Sequence, residues 1–442
     1  MTRKINKVAV LGGGTMGGGI AGLVAQTGHQ VVLLEINREA AAAAKARMVS
    51  GRPPALETPE AADRVTVGSF DDDMGLIADC DWICEAVVED LEIKRSLLAR
   101  VEAVRKDGSI VSTNTSGIRL ADITQCLPER LARDMAVTHF FNPVKVMRLV
   151  ELVPGVDTAD DVIPSLAAFC GGVLGKGPVY AKDTVNFIGN RIGCYWMLSG
   201  LHIGGEMAAR GLNTETMDAL MSAPVGIPPT GLYGLIDLVG LDVMDLVARN
   251  LAANLAPGDG GLKYATLPPA EAQMLARGQL GRKTGGGFYK MIKNDDGSRT
   301  KETFEPATNS WRPAVEVTLA EDLTRAETLL FPASPSPGLE SEFATKVLGG
   351  TLAYAAGLVP EIADDIVNID RAMRWGFAWK EGPFQLMDRI GPAKLIARLK
   401  DKGKPLPKML QVLRHAGAPS FYRNDGTEFL GVDGAWAKVP AE

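Results

Sequence analysis

The stretch from Lys7 to Asn37, KVAVLGGGTMGGGIAGLVAQTGHQVVLLEIN, constrains the fold of this chain more than any other. It combines a short β-branched strand, a glycine-rich turn, a helix with apolar residues on one face, and a second strand that ends in an acid. This order predicts a βαβ unit with a ligand site in its first turn. Gly12, Gly14 and Gly17 have the spacing G-x-G-x-x-G within it.

Each of these three glycines has a physical reason to lack a side chain. Gly12 permits the tight turn, Gly14 lets backbone N–H groups approach a pyrophosphate, and Gly17 lets the helix pack close to the strand. The helix N-terminus, at Thr15 and Met16, offers unpaired donors and the positive end of its dipole to the phosphates. The pattern therefore predicts a dinucleotide site, although a Rossmann-type fold that binds nothing would share the same glycines.

Glu35 ends the second strand and bears on the choice of dinucleotide. A carboxylate at this position accepts hydrogen bonds from the ribose hydroxyls and repels a 2′-phosphate. The sequence therefore predicts NAD, and not NADP, as the cofactor. Arg38 is the one nearby residue that argues for NADP.

The alternation of strands and helices continues to about residue 183 and predicts a mostly parallel, doubly wound sheet. Glu89 follows the predicted strand 81–87 and precedes an amphipathic helix that contains Lys94. The next strand runs into STNTS at 112–116, a cluster of hydroxyls and one amide. Ligands collect beyond the carboxyl ends of strands in such sheets. Serine and asparagine also cap helices, so both interpretations of this cluster stay open.

His139 and Glu151 form a second candidate site. His139 stands near the end of the predicted strand 135–141, and Glu151 lies inside the next apolar run. Asn142-Pro143 interrupts any continuous helix between them, so a strand, a turn and a strand would bring the two side chains face to face. A lone histidine on a strand is more often structural. With a carboxylate holding one ring nitrogen, the pair predicts a general base.

Composition excludes several other classes of function. Apolar residues make up 46% of the chain, and no apolar run approaches the roughly 20 residues that span a bilayer, so no membrane partner is expected. The net charge of −6, without a long basic stripe, argues against nucleic acid as a partner. The five scattered cysteines predict buried thiols and no metal site. We expect a cytoplasmic protein.

Long apolar helices replace the alternation after residue 183 and predict an all-α second domain with an internal repeat. The stretch GLVPEIADDIVNIDRAMRWGFAWKEGPFQLMDRIG, from Gly357, echoes GLNTETMDALMSAPVGIPPTGLYGLIDLVG, from Gly211. A polar, proline-bearing segment between the copies is typical of a linker. The predicted boundaries are 1–183 for the NAD-binding domain, 184–292 for copy 1, 293–338 for the linker, 339–407 for copy 2 and 408–442 for a tail.

The chain resembles the L-3-hydroxyacyl-CoA dehydrogenases of fatty-acid β-oxidation. The matching stretches are VAVLGGGTMGGGIA, EAVVEDLEIKRSLL, STNTSG, HFFNPVKVMRLVELV, KDTVNFIGNRI, GLYGLIDLVGLD and GRKTGGGFYK. They fall in the order of the family and cover about residues 5–290. The resemblance implies NAD as the cofactor and oxidation of (S)-3-hydroxyacyl-CoA to 3-ketoacyl-CoA as the reaction.

The resemblance also implies roles for individual residues. His139 matches the family's catalytic base, Glu151 its carboxylate partner, Ser116 the serine that hydrogen-bonds the substrate oxygen, and Asn190 the asparagine that supports it. One departure is Val185-Asn186, where the family commonly has Pro-Gly just before that asparagine. Further positions match those that line the dinucleotide and the active-site cleft: Glu89, Lys94, Asn142 and Lys283.

The resemblance bears on partners as well. Single-copy members of the family pair through their helical domains, so the second copy would substitute for a partner's surface within one chain. This implies a monomer with an internal pseudo-dimer, or else a homodimer. Similar chains are often fused to an enoyl-CoA hydratase, so a fused or associated hydratase is expected. The alternatives are a dehydrogenase of another β-hydroxy acid, which would usually employ a lysine base, and a non-catalytic dinucleotide-binding protein.

Overall fold

The computed structural model describes residues 2–51, 54–334 and 336–442, and the chain divides into two compact units. The first unit ends at Ile188 and also includes Glu442, and the second runs from Gly189 to Ala441. The boundary predicted from the sequence is residue 183. Residues 184–188 remain with the first unit, where the backbone N–H of Ile188 donates to the Glu151 carboxylate.

The first unit is built on one eight-stranded sheet with the order β3-β2-β1-β4-β5-β6-β7-β8. Neighbouring strands are parallel except for β6 and β7, which are antiparallel. This confirms the predicted α/β class with a mostly parallel Rossmann-type sheet. The strands are β1 Lys7–Leu11, β2 Gln30–Glu35, β3 Val65–Ser69, β4 Trp82–Glu85, β5 Ile110–Thr113, β6 Met135–Phe140, β7 Leu149–Pro154 and β8 Gly177–Tyr180.

Helices connect these strands: α1 Thr15–Gln26, α2 Arg38–Ser50, α3 Leu91–Val104, α4 Leu120–Thr124, α5 Glu129–Asp134 and α6 Val162–Ala168. Strands β1 and β2 are buried almost throughout, as expected of parallel strands that are covered on both faces. The side chain of Asp90 accepts a hydrogen bond from the backbone N–H of Ile93 and caps α3.

The position of β1 determines where a ligand can bind. β1 lies between β2 and β4, so the direction of winding reverses at this point. Open α/β sheets bind ligands in the crevice at the carboxyl ends of the strands beside such a reversal. The glycine turn follows the end of β1, and Glu85 ends β4 next to it.

The departure at Val185-Asn186 has a visible backbone counterpart. Asn186 and Phe187 have φ values of 61° and 50°, in the left-handed region. Glycine enters this region without a steric penalty, and asparagine is among the few other residues that visit it routinely. Asn186 can therefore adopt this left-handed conformation at little cost.

The second unit is mainly helical, as predicted, with helices α7 Gly189–Ala208, α8 Thr214–Leu220, α9 Tyr233–Val239, α10 Leu241–Asn254, α11 Pro269–Ala276, α12 Ala326–Leu330, α13 Leu339–Leu358, α14 Ile366–Gly376, α15 Pro383–Ile390, α16 Pro392–Asp401 and α17 Lys408–His415. None of the helices in the described part of the chain is long and apolar enough to cross a membrane.

The second unit is not all-α, contrary to the prediction from the sequence. It contains two three-stranded antiparallel sheets, formed by β9 Tyr289–Lys293, β10 Arg299–Glu305 and β11 Ser310–Pro313, and by β12 Tyr422–Arg423, β13 Glu428–Leu430 and β14 Trp436–Lys438. β10 and β11 lie in the predicted linker and β12, β13 and β14 in the predicted tail, whereas β9 lies almost wholly in predicted copy 1. Pro335 of the predicted linker lies outside the described residues. Such short, largely exposed strands have the polar composition of a linker, which hid them.

The two sheets extend the internal repeat beyond its predicted ends. In copy 1 the Asp237 carboxylate accepts from the backbone N–H groups of residues 288–289 at 2.8 Å each. In copy 2 the Asp388 carboxylate accepts from those of residues 421–422 at 2.7 and 2.8 Å. Each repeat therefore consists of helices followed by a small sheet that an aspartate holds in place.

A second pair of contacts repeats in the same way. The hydroxyl of Tyr289 donates to Asp218 at 2.7 Å, and the hydroxyl of Tyr422 donates to Asp370 at 2.7 Å. Burial raises the pKa of each of these two carboxyl groups to about 7. Copy 2 accordingly extends into the segment predicted to be a tail.

Candidate active site

The glycine turn has the shape that a dinucleotide site requires. Gly12 has a φ of 97°, and a Cβ there would lie 2.7 Å from the carbonyl oxygen of Ala86. A Cβ on Gly17 would lie 1.9 Å from the carbonyl oxygen of Gly12. A Cβ on Gly14 would meet nothing within 4 Å. The first and third glycines are thus needed for packing, and the second faces open space that a phosphate can approach.

Glu35 lies at the end of β2 beside this turn. Its Oε1 accepts from the backbone N–H of Gly13 at 2.7 Å, and its Oε2 accepts from that of Ile36 at 2.8 Å. Each carboxylate oxygen can accept a further hydrogen bond. The groups present at this position therefore fit the ribose hydroxyls of NAD.

Arg38, which argued for NADP, is held by an acid. Its Nε and Nη2 donate to Asp73 at 2.9 and 2.7 Å, and the Arg38 guanidinium lowers the pKa of the Asp73 carboxyl to about 2. A guanidinium engaged in such a bidentate pair would have to leave it to bind a 2′-phosphate. The geometry around the turn is consistent with NAD.

Replacing Glu35 by Gln is expected to shift the cofactor preference towards NADP. The amide loses the charge that repels a 2′-phosphate, and its single oxygen can accept from only one of the two backbone N–H groups that Glu35 binds. A hydrogen bond to a charged group contributes about 1.5–3 kcal/mol, so the ratio of NADPH to NADH affinity should rise about tenfold or more. Fluorescence titration of both reduced dinucleotides measures this ratio. An unchanged ratio in Glu35→Gln would remove Glu35 from the cofactor site.

His139 and Glu151 are direct neighbours across the antiparallel strands β6 and β7. The Nδ1 of His139 lies 2.6 Å from Glu151 Oε2, and Glu151 Oε1 accepts from the backbone N–H of Ile188 at 3.0 Å. Both side chains are buried, and the rings of Phe141 and Phe187 flank the imidazole. The strand–turn–strand pattern therefore brings the two side chains together as predicted, while their catalytic roles stay a prediction.

This geometry assigns the proton on the imidazole. An ionised carboxylate can only accept hydrogen bonds, so the Nδ1 of His139 must donate to Glu151. In the neutral ring the lone pair is then on Nε2, which is the nitrogen that can take a proton from a ligand. The carboxylate fixes both the tautomer and the orientation of the ring.

Ser116 lies in a loop, residues 114–117, that follows β5; we call it the Ser116 loop. Glu89 Oε1 accepts from the hydroxyl of Thr115 at 2.7 Å and from the backbone N–H groups of Ser116 and Gly117 at 2.9 and 3.0 Å. Burial opposes the ionisation of Glu89, but the Lys94 ammonium and these donors outweigh it and lower the pKa of its carboxyl. Glu89 therefore anchors the Ser116 loop.

Lys94 is almost completely buried, although the resemblance implies a place in the cofactor cleft. Its Nζ lies 2.9 and 3.1 Å from the two oxygens of Glu85 and 3.2 Å from Glu89 Oε2. Glu85 is not among the site residues predicted from the sequence. An acid at the end of a strand of buried residues, in EAVVED, was the available signal.

Asn114 connects the Ser116 loop to the strand of the histidine. Its side-chain oxygen accepts from the backbone N–H of Phe140 at 2.9 Å, one residue after His139. Its own backbone N–H donates to the carbonyl of Glu85 at 2.7 Å. Hydrogen bonds therefore connect the Ser116 loop to the part of the sheet that carries the His139–Glu151 pair.

The remaining predicted site residues belong to other elements. Thr15 and Met16 begin α1 directly after the glycine turn, and Asn142 is exposed after the end of β6. Asn190 and Lys283 belong to the second unit: Asn190 is the second residue of α7, and the Nζ of Lys283 lies 2.5 Å from Asp242. Their roles stay predictions.

Comparison with known proteins identifies the family. Residues 7–184 match a family model described as "3-hydroxyacyl-CoA dehydrogenase, NAD binding domain", and residues 187–291 match "3-hydroxyacyl-CoA dehydrogenase, C-terminal domain". The chain belongs to the 3-hydroxyacyl-CoA dehydrogenase family. Its first unit is accordingly an NAD-binding domain of that family.

Two relatives and one solved structure show the extent of the similarity. A "Probable 3-hydroxyacyl-CoA dehydrogenase" of Bacillus subtilis is 34% identical over 99% of this chain and 58% of its own length. A protein of the same name from Deinococcus radiodurans is 34% identical over 70% of this chain and 90% of its own length. A 3-hydroxybutyryl-CoA dehydrogenase of Escherichia coli shares the fold, with a TM-score of 0.68 and 22% identity over 92% of this chain and 98% of the other.

This chain is shorter than several of the relatives that it matches. It spans little more than half the length of the first three curated relatives that it matches, with shares of 58%, 53% and 57%. Its family membership therefore does not by itself determine its activity.

Proposed function

We propose that this chain catalyses the NAD-dependent oxidation of (S)-3-hydroxyacyl-CoA to 3-ketoacyl-CoA. The observation that supports this most is the His139–Glu151 pair at 2.6 Å, on the sheet edge that also holds the Ser116 loop. A base, a hydroxyl donor and an NAD-binding turn on one sheet are the groups that oxidation of a secondary alcohol requires.

In the proposed mechanism His139 acts as the general base. Its Nε2 takes the proton of the substrate hydroxyl, and Glu151 stabilises the imidazolium that forms, since its carboxylate is already within hydrogen-bonding distance of Nδ1. Ser116 donates a hydrogen bond to the substrate oxygen, and Asn190 supports it. When bound, NAD supplies the acceptor for the hydride from C3.

Initial rates of NADH formation test the proposal. We expect turnover with (S)-3-hydroxyacyl-CoA of short, medium and long chains, whose relative rates would reveal the preferred chain length, and little turnover with the corresponding free 3-hydroxy acids. Equal turnover of the free acids would favour a dehydrogenase of another β-hydroxy acid. Binding of NADH without turnover of any substrate would favour a non-catalytic dinucleotide-binding protein.

We also propose that the second helical copy takes the place of a partner subunit. Helices α7 of copy 1 and α13 of copy 2 pack against each other. The nearly buried Arg191 on α7 donates to the hydroxyl of Tyr354 on α13 at 2.6 Å, and the ring of Tyr195 stacks on Tyr354 at 4.1 Å. A Cβ on Gly193 would lie 2.0 Å from the ring of Phe377, so α7 is shaped for copy 2.

This proposal predicts a monomer in solution. Copy 2 covers α7, so the surface that a partner chain would contact there is already occupied within the chain. Light scattering at micromolar concentration should give a mass of about 47 kDa, the mass of one chain. A mass of two chains would contradict the internal pseudo-dimer and favour the homodimer.

A fused or associated enoyl-CoA hydratase remains part of the proposal. The relatives that this chain matches along nearly its whole length are longer than the chain, which leaves room for another domain in them. Co-purification of hydratase activity with the untagged protein from its native source would support this partner, and its absence from the purified complex would oppose it.

A further inference from the structure

Glu85 occupies a position that links both halves of the candidate active site. Its backbone pairs with Leu11 of β1, which leads into the glycine turn, and with Thr113 of β5, which leads into the Ser116 loop. The side chain is completely buried. A buried carboxylate is costly unless charged and polar partners satisfy it, so the partners of Glu85 indicate what it is for.

Both oxygens of Glu85 have partners. Oε1 accepts from the backbone N–H of Val87 at 2.7 Å and from the Nζ of Lys94 at 2.9 Å. Oε2 accepts from Lys94 at 3.1 Å and from the hydroxyl of Thr113 at 2.6 Å. Lys94 is only 1% exposed, so the pair is shielded from water.

Two of these partners lead to the Ser116 loop. Lys94 also contacts Glu89 at 3.2 Å, and the other oxygen of Glu89 accepts from the backbone N–H of Ser116. The Thr113 hydroxyl donates a hydrogen bond to the buried carboxylate, so its oxygen is oriented to accept from the backbone N–H of Thr115 at 3.2 Å. A single carboxylate thus holds the loop in two ways. The ionic route runs through Lys94 and Glu89, and the hydroxyl route runs through the side chain of Thr113.

We propose that Glu85 is a positioning residue that holds Ser116 in place to meet the substrate oxygen. The proposal rests on the proposed function, since Ser116 has its role only there. The charge of Glu85 keeps the Lys94 ammonium between two carboxylates, and its bond to Thr113 fixes the hydroxyl that anchors the loop. Because Glu85 is completely buried, it acts through the loop and not by touching the substrate.

Hydrogen exchange tests the positioning without any activity measurement. In Glu85→Gln the buried ammonium loses its main counter-charge, so the Ser116 loop should loosen. We expect the backbone N–H groups of Ser116 and Gly117 to exchange about tenfold faster or more than in the unmodified chain. Unchanged exchange at both positions would overturn the proposal.

A double-mutant cycle tests whether the effect passes through Ser116. We expect Glu85→Gln to lower kcat with the acyl-CoA substrate about tenfold or more, while the NADH dissociation constant changes less than about threefold. In a Ser116→Ala background the same substitution should lower kcat less than about threefold, because residues that act as a unit are not additive. An equal loss in both backgrounds would show a merely structural role and overturn the proposal.

A pair of substitutions at Thr113 keeps the test valid should Glu85→Gln not fold. Thr113→Val removes the hydroxyl and leaves the Glu85–Lys94 pair intact, whereas Thr113→Ser keeps the hydroxyl. We expect faster exchange at Ser116 in Thr113→Val and near-normal exchange in Thr113→Ser. Equal exchange in both variants would contradict the hydroxyl route and overturn the proposal.

Asp134 provides a matched control at the opposite end of the sheet. It precedes β6 and binds Arg3 and Arg105 at 2.6 and 2.8 Å, so Asp134→Asn also breaks a partly buried ionic network. This variant should lower the midpoint of thermal unfolding but leave kcat and the exchange at Ser116 unchanged. A loss of kcat equal to that of Glu85→Gln would count against a specific role for Glu85. Inactivity of the unmodified chain would refute the proposed function and leave the exchange result as a separate test.

Discussion

Replacing His139 by Gln is expected to lower kcat by about 10²–10⁴-fold, the usual contribution of a positioned general base. Glutamine fills similar space and can still hydrogen-bond to Glu151, but it cannot take a proton at neutral pH. NADH affinity should change little, because the histidine lies on β6 and the glycine turn follows β1. Steady-state kinetics and fluorescence titration on the same preparation measure the two quantities.

A second histidine of the same unit supplies the control. His29 precedes β2 and packs edge-on against Phe169, away from the carboxyl ends of the strands. His29→Gln should therefore keep kcat near that of the unmodified chain. If His139→Gln also kept most of its activity, His139 would be a structural histidine.

Replacing Glu151 by Gln is expected to reduce kcat on a similar scale, about 10²–10⁴-fold, for a different reason. Glu151 uses one oxygen to accept from the backbone N–H of Ile188 and the other to accept from His139. A glutamine has only one oxygen, and its NH2 group can serve neither donor. If the oxygen stays with Ile188, the NH2 group faces Nδ1 and moves the ring proton to Nε2, where it blocks the base.

The ring nitrogens of His139 report this tautomer directly. The chain has only 4 histidines, so ¹⁵N spectra of the imidazoles are simple enough to assign by substitution. We expect the proton on Nδ1 in the unmodified chain and a different proton distribution in Glu151→Gln, with NADH binding retained. Unchanged ¹⁵N shifts together with unchanged kcat would leave Glu151 a structural role alone.

The first unit was predictable from sequence because its signals are local. The glycine spacing, the strand-ending Glu35 and the break at Asn142-Pro143 each dictate backbone geometry within a few residues. Those signals were enough to predict a mostly parallel sheet and the approach of His139 to Glu151.

What the sequence did not reveal depends on contacts between distant residues. In the sequence Glu85 is one acid among several in EAVVED. Only its burial together with Lys94 and Thr113 points to the positioning role that we propose for it. The small sheets of the second unit were likewise not predicted, since β11 and β14 are short and largely exposed. Tyr289 and Tyr422 make equivalent contacts, but they are not separated by the 151 residues that separate Asp237 from Asp388. A search for a constant spacing between the copies therefore does not find them.

The most direct test of the account is the rate of NADH formation from (S)-3-hydroxyacyl-CoA, measured side by side for the unmodified chain and His139→Gln. We expect clear turnover by the unmodified chain and a loss of about 10²–10⁴-fold in the variant, at equal NADH affinity. Equal rates, or no turnover by an unmodified chain that binds NADH, would contradict it.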